Sequence, residues 1–346
     1  MSGVFSPFSL GPLALKNRIA RSATQDNLGG SQGQITPAEA LLYQELAKNQ
    51  VALLFSAHAY VMPEGKASPT QNGLEDERNL PILEQIAGQV HEQGAKMVMQ
   101  LSHAGEKSVS SRPLGPDGMS LQDLRQVRDA FVQAAMRAKR AGMDGVQIHC
   151  AHGYLLSQFL SPLQNHRQDA YGGCPENRFR LALEIIQGIQ DACGGLPILI
   201  KINSNLPDAQ ADLAFEGDLE TVLHLCRQAG VAAAEVSGCD FRSFPRQAPP
   251  YYLARAARLR KACGLPLLLV GGIRSDAHIR QVLEAGLDMV SLCRPLICQP
   301  DLVLRLQQGP YTSPCLSCNQ CFAAIGTEGR TCVLHTKGAD LQRLGL

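Results

Sequence analysis

His149, His152 and Tyr154 crowd the exit of a short apolar segment, Gly145-Val-Gln-Ile-His-Cys, which Ala141-Gly142 precedes. Two imidazoles three residues apart with a phenol close behind allow three chemistries. A metal pair is one, but no third His or carboxylate stands near, so a zinc site would be incomplete. A satisfied structural role is another. The third has both imidazoles donating N–H to a carbonyl or phenolate oxygen as negative charge develops there. Tyr154, with an ordinary pKa of about 10, would then supply a proton to a strongly basic enolate.

The cysteines form a second concentration. Cys315, Cys318, Cys321 and Cys332 sit in the last part of the chain, in a C-x₂-C-x₂-C arrangement with a distant fourth. Such spacing suits ligands better than core residues, and three thiolates on a tight turn can reach three corners of one iron-sulfur cluster. Structural zinc and metal-free thiols stay open beside a 4Fe-4S cluster. The other eight cysteines are scattered singly and read as buried small hydrophobes.

Positioning these groups requires a regular frame. Short apolar runs recur at about 18–24, 51–57, 96–101, 145–149, 197–202, 233–237, 266–270 and 289–292. Val51-Ala-Leu-Leu-Phe, Pro197-Ile-Leu-Ile-Lys-Ile and Pro266-Leu-Leu-Leu-Val are apolar on both faces, as strands inside a ring of helices must be. Amphipathic segments predict helices near 37–48, 79–93, 121–141, 175–192, 218–229, 250–262, 275–285 and 300–308. Gly94, Gly142, Gly230, Gly264 and Gly286 stand where left-handed C-caps would release the chain into the next strand. The alternation predicts an α/β fold, a (β/α)₈ TIM barrel over residues 1–310, with a doubly wound sheet as second choice. Residues 311–346 form a cysteine-rich C-terminal extension. In such a barrel His149, His152 and Tyr154 fall at the carboxyl end of strand four, where active sites lie. Gly271-Gly272 after strand seven and Arg294 after strand eight suit a phosphate, because glycines admit close backbone approach and Arg pairs bidentately.

Composition narrows the function. Apolar residues make up 45% of the 346 and charged residues 18%, which argues against disorder. A net charge of +1 offers no field for nucleic acid or anionic membrane. No run approaches a membrane span and the start lacks a signal-peptide pattern, so a soluble cytoplasmic protein is expected. Nothing decides the oligomer; a homo-oligomer built on the terminal segments stays open.

The stretch Ile148-His-Cys-Ala-His-Gly-Tyr-Leu-Leu, with Phe159-Leu-Ser-Pro-Leu and Asn165 through Asn177, resembles the signature of the Old Yellow Enzyme family. The resemblance runs from Leu15-Lys-Asn-Arg-Ile to Arg294-Pro-Leu, nearly the whole chain. It implies an FMN-dependent, NAD(P)H-using barrel that reduces activated C=C bonds of small α,β-unsaturated carbonyl compounds. It also implies that His149 and His152 grip the substrate carbonyl and that Tyr154 donates the proton. Gln100 would hydrogen-bond the flavin pyrimidine and Lys201 stand beside flavin N1 and O2, a cation that stabilises an anionic reduced ring. Read without the family, Gln100 is a satisfied buried amide and Lys201 a snorkelling side chain. Further cofactor contacts are implied for Ala23, Thr24, Gln25, Ala57, Gly271, Gly272, Cys293 and Arg294. Three departures stand out: Gln25 replaces a thiol or Thr against the flavin, Cys150 and Cys293 replace Ala and Gly, and the 103–120 loop looks short for a substrate cap. The cysteine tail is similar to the cluster segment of the dienoyl-CoA reductase and trimethylamine dehydrogenase branch, which leaves a flavin and iron-sulfur electron-transfer protein as the alternative. A tRNA dihydrouridine synthase on the same barrel is disfavoured by the near-zero charge and the lack of a basic appended domain.

Overall fold

The computed structural model describes residues 3–246, 248–322, 325–326 and 329–335. Eight parallel strands close a barrel: β1 Ile19–Arg21, β2 Leu53–Phe55, β3 Lys96–Ser102, β4 Gly145–Cys150, β5 Ile198–Asn203, β6 Ala233–Ser237, β7 Leu267–Val270 and β8 Met289–Leu292. Closure comes from β8 pairing with β1, β1 with β2 and β2 with β3. A short extension, Ala59–Tyr60, continues along β3. The longer helices are α1 Pro37–Lys48, α2 Leu80–Glu92, α3 Leu121–Arg140, α4 Arg180–Cys193, α5 Ala209–Gln228, α6 Leu253–Cys263, α7 Asp276–Glu284 and α8 Leu302–Gln308. The TIM barrel expected from the sequence is therefore the fold. None of the described helices is long and apolar enough to cross a membrane.

Gly94, Gly142, Gly230, Gly264 and Gly286 all have positive φ, between 66° and 90°, as their C-cap role requires. Two helices depart from expectation. The segment expected at 218–229 starts at Ala209, because the Asp208 side chain accepts from Ala211 N–H at 2.8 Å and caps it. The segment expected at 175–192 is broken at Phe179 into Pro175–Arg178 and α4. An antiparallel hairpin, Phe8–Leu10 with Leu13–Leu15, was not anticipated. Its Leu10, Leu13 and Leu15 pack beneath the barrel against Phe55, Val98 and Leu268, closing the amino-terminal end.

Side-chain alternation along the strands then stacks the interior in layers. Val98, Leu199 and Ala233 belong to the apolar bottom. Two residues further on, Gln100, Lys201 and Glu235 form a buried polar floor, with Gln147 from β4 beside them. Another two residues bring His149, Asn203 and Ser237 to the mouth. From Tyr311 the chain crosses the start of α7, with Asp276 N–H donating to Tyr311 O at 3.1 Å and Thr312 bridging Ser275. Much of the extension expected over 311–346, including everything after His335, lies outside the described residues.

Candidate active site

The mouth of the barrel is a cavity of about 800 Å³. Small-molecule and cofactor pockets are roughly 300–1,000 Å³. His149, at the end of β4, enters it directly. His152 is brought back beside it by a left-handed turn, φ 60° at His152 and 70° at Gly153. Such a φ is uncommon for a residue with a Cβ, so something must hold it. Asn203 Oδ1 accepts from His152 N–H at 3.1 Å, and Lys107 Nζ donates to His152 O at 2.7 Å. The two imidazoles stand edge to face, centroids 5.2 Å apart, and the Tyr154 ring lies 5.1 Å from that of His149. Tyr154 is placed by the short helix Leu155–Leu160, whose Gln158 N–H donates to Tyr154 O at 2.8 Å.

Burial and the charges around them favour the neutral form of these rings. Burial, then neighbouring cationic groups and the other histidines, hold His149 and His152 well below the usual imidazole pKa. Burial also raises the Tyr154 phenol. His152 Nε2 lies 3.0 Å from Ser237 Oγ, whereas His149 Nδ1 is buried with no protein partner.

Beneath runs a continuous polar chain. Gln100 Nε2 donates to Gln147 Oε1 at 2.6 Å, and Gln147 Nε2 to Glu235 Oε2 at 3.1 Å. Glu235 pairs with Lys201 at 3.2 Å, and Lys201 Nζ donates to Ser22 Oγ at 2.7 Å. A buried lysine is therefore paired at the cavity floor with a fully buried carboxylate.

The remaining expected residues divide. Ala23, Thr24, Gln25, Gln100, Lys201, Gly271, Gly272, Cys293 and Arg294 all line the cavity. Ala57 does not: it is buried, and its N–H donates to Tyr43 Oη at 2.7 Å. Thr24 Oγ1 lies 3.2 Å from Cys293 Sγ. Arg294 also reaches away from the cavity, donating to Asn319 Oδ1 at 2.6 Å and to Tyr251 Oη at 3.3 Å. Gly271 and Gly272 have φ of 126° and 73° and lie against Tyr251, where a Cβ on either would stand within 2.9 Å of the ring.

The four tail cysteines line one small cavity together, beside Arg294. Cys315, Cys321 and Cys332 are buried, and burial pushes the Cys321 thiol up to about 12. Among the described residues no group of three or more His, Cys, Asp or Glu side chains closes on a metal ion. Cys298 joins Cys315 and Cys332 in an apolar cluster. The reading of the eight scattered cysteines as buried needs correction at three: Cys174 is exposed, and Cys239 and Cys293 are half-buried and line the large cavity. Cys174 lies just before the Pro175–Arg178 turn on the surface, and the other two sit on the loops that form the mouth.

Sequence reasoning passed over His58, Lys107, Phe241, Arg242, Phe322 and Arg330, all cavity-lining. His58 follows β2, and the rule that strand carboxyl ends bear the site would have found it. Its ring centroid is 5.3 Å from that of Tyr154. Gln71 Oε1 accepts from Ala67 N–H, so its Nε2 is the nitrogen that donates to His58 Nδ1 at 2.7 Å. His58 Nε2 then carries the proton. Phe322 and Arg330 come from the tail: Arg330 donates to Gln25 O and, at 3.0 Å, to Cys321 O.

The residues present fit a flavin mononucleotide. The cavity is large enough and its floor holds a cation. Gly271 and Gly272 leave the backbone bare where a phosphate would approach, and Gln25 Oε1, Ser291 Oγ and His149 Nδ1 are buried without partners on its walls.

Comparison with known proteins agrees. The family model described as NADH:flavin oxidoreductase / NADH oxidase matches residues 3–117 and 109–313. An NADPH dehydrogenase of Geobacillus thermodenitrificans is 33% identical over 86% of this chain and 91% of its own length. An NADH oxidase of Thermoanaerobacter brockii is 29% identical over 91% of this chain, which spans about half (52%) of that relative. Among solved structures, a 2-naphthoyl-CoA reductase complex superposes with a TM-score of 0.84 at 24% identity, covering 92% of this chain and 54% of the other. The old yellow enzyme homologue of Zymomonas mobilis gives 0.77 at 24% identity, over 90% and 94%.

Proposed function

The chain belongs to the NADH:flavin oxidoreductase / NADH oxidase family, that of Old Yellow Enzyme, and we propose that within it this protein is an FMN-dependent, NAD(P)H-using reductase of α,β-unsaturated carbonyl compounds. The observation that carries the reading is the convergence of the His149, His152 and Tyr154 rings in the cavity above the Lys201 floor. When bound, FMN would supply two-electron redox chemistry between a reduced nicotinamide and an activated C=C bond.

The protein's own groups do the rest. Neutral His149 and His152 donate N–H to the carbonyl oxygen and draw charge onto it as the β carbon accepts hydride. Tyr154 keeps its proton in its buried setting until a strong carbon base, the enolate α carbon, takes it. Gln100 and Lys201, on the cavity floor, would hold the polar edge of the heterocycle and stabilise negative charge there. Gly271, Gly272, Cys293 and Arg294 hold the phosphate end, with Ala23, Thr24 and Gln25 along one wall. Rapid mixing of the NAD(P)H-reduced holoprotein with cyclic enones, enals and maleimides tests the reading. Reoxidation coupled to C=C reduction is expected, and failure with every acceptor overturns it.

A second reading is a flavin and iron-sulfur redox protein in which C=C reduction is incidental. It is favoured by one observation: Arg294 lines both the large cavity and the pocket of Cys315, Cys318, Cys321 and Cys332. Those thiols would hold a 4Fe-4S cluster, or a zinc ion in its place, once deprotonated by the metal. Anaerobic absorption spectra of the parent and Cys318→Ser separate the readings. Loss of a broad visible band together with activity supports the relay, and unchanged spectra remove it.

A further inference from the structure

The large cavity carries far more positive charge than the molecule around it. Lys107, Lys201, Arg242, Arg294 and Arg330 line it, against the single carboxylate of Asp240, in a chain whose net charge is +1. Lys201 is offset by Glu235 below. Among the described residues the other four cations face no carboxylate at ion-pair distance, and Asp240 accepts a hydrogen bond from Tyr252 at 2.8 Å. A cofactor phosphate carries about −1.5 to −2 at neutral pH and would lie at the glycine end, where Arg294 stands. Lys107, Arg242 and Arg330 remain at the mouth.

These three come from separate parts of the chain: the loop after β3, the loop after β6 and the tail. Arg242 and Arg330 both place their guanidinium carbons 4.9 Å from the centre of the Phe322 ring. They are therefore no farther apart than about 10 Å, one Debye length at 0.1 M salt, so their fields add. Backbone carbonyls hold Lys107 and Arg330 in place, but those neutral acceptors and cation–π contact, worth only about 0.5–1 kcal/mol at an exposed ring, leave the three positive charges uncompensated around the cleft. A cleft lined by one sign of charge concentrates ligands of the other.

We propose that this mouth is an anion-binding subsite, taking a phosphate or carboxylate group carried by the molecule that enters above the cofactor. The inference rests on the flavin-cavity reading and adds its ligand class. The anion belongs either to an acid- or phosphate-bearing enone or to the phosphates of the reduced nicotinamide nucleotide. Phe241 and Phe322, with ring centroids 5.6 Å apart, give the same ligand an apolar wall.

The test titrates the FMN-saturated protein with inorganic pyrophosphate by calorimetry, in the parent and in Arg242→Gln. Arg242 is exposed, so this variant folds where Arg330→Gln, which loses the hydrogen bonds to Gln25 and Cys321, could unpin the tail. Binding that weakens about tenfold in Arg242→Gln and falls steeply with salt is the expected result. Turnover locates the anion. If the ratio of kcat/KM for a carboxylate-bearing enone to that for its methyl ester falls, it is the substrate's; if instead the NADPH concentration for half-maximal flavin reduction rises, it is the nucleotide's. Pyrophosphate binding that is absent, or equal in parent and variant, overturns the subsite. Protein that takes up no FMN sinks the flavoprotein reading instead, and the same titration of parent against variant still decides the mouth.

Discussion

His149 and His152 meet edge to face, 5.2 Å between ring centroids, because a left-handed turn at His152 folds the chain back onto the strand it has just left. On the proposed reading the two rings together, and neither alone, would hold the substrate oxygen. If both rings donate to the bound oxygen as proposed, replacing His149 by Ala removes one of the two hydrogen bonds, each worth about 1.5–3 kcal/mol when made to developing charge. The affinity of the holoprotein for a substituted phenolate, followed by the change in flavin absorbance, should fall by about tenfold to a hundredfold. Unchanged affinity would place the anion elsewhere in the cavity.

Tyr154→Phe separates proton delivery from hydride transfer. A positioned acid contributes about 10²–10⁴ in rate. Reoxidation of reduced protein by cyclohexenone should slow by a factor in that range, far more than flavin reduction by NAD(P)H does. Equal slowing of both half-reactions would assign Tyr154 to the shape of the cavity rather than to the proton.

Glu235 is fully buried beneath Lys201 and also accepts from Gln147. Glu235→Gln leaves a buried ammonium without its counter-charge, a loss of about 3–5 kcal/mol for pairs of this kind. Chemical denaturation should show a loss of that order, and the double variant Glu235→Gln with Lys201→Met should recover part of it. No recovery would mean that Glu235 acts through packing alone.

Much of this was legible in the sequence, for physical reasons that also explain what was not. Strands apolar on both faces and glycines that need positive φ are local signals, so the barrel and the place of His149, His152 and Tyr154 could be read directly, whereas Gln100 and Lys201 were placed only through the family resemblance. Asp208 was legible too, as a capping residue, yet was passed over because the helix it starts, Ala209–Gln228, opens with a mixed face. Ala57 is buried and is not among the residues lining the cavity, a distinction a strand run does not carry because a residue beside the cavity and one inside it look alike there. Arg330 carried no local signal: it reaches Gln25 across 305 residues of sequence, and only tertiary packing brings the tail to the mouth.

Two buried histidines, His103 and His149, and two half-buried ones, His58 and His152, are shifted towards the neutral form. His58 and His103 are lowered to about 4 by burial, and His149 and His152 lie well below their ordinary value. In the unfolded chain each titrates at about 6.5. Below that pH the unfolded state binds protons that the folded state refuses, so stability is full above about pH 6.5 and falls as pH drops towards 4. Each histidine contributes at most about 1.4 kcal/mol per pH unit in that window. Denaturation at pH 7, 6 and 5 should show this decline, with a slope smaller by up to one proton in His58→Gln. A flat profile would mean that the imidazoles charge within the fold.

Tyr251 ties the proposed phosphate end together, lying under Gly271 and Gly272 and meeting Arg294 through its hydroxyl. An added Cβ at Gly272 would stand 2.6 Å from Pro249 O and 2.8 Å from the Tyr251 ring, at a φ of 73°. The left-handed conformation alone costs about 1–2 kcal/mol for a residue with a side chain. Backbone at Pro249 gives way less easily than a flexible side chain, so the loop must shift from the position it holds for the cofactor. Gly272→Ala should therefore weaken FMN binding at least tenfold, measured by fluorescence quenching on titration into the cofactor-free protein. Riboflavin, lacking the phosphate, should lose much less. An equal loss for both ligands would move the effect from the phosphate loop to the ring site.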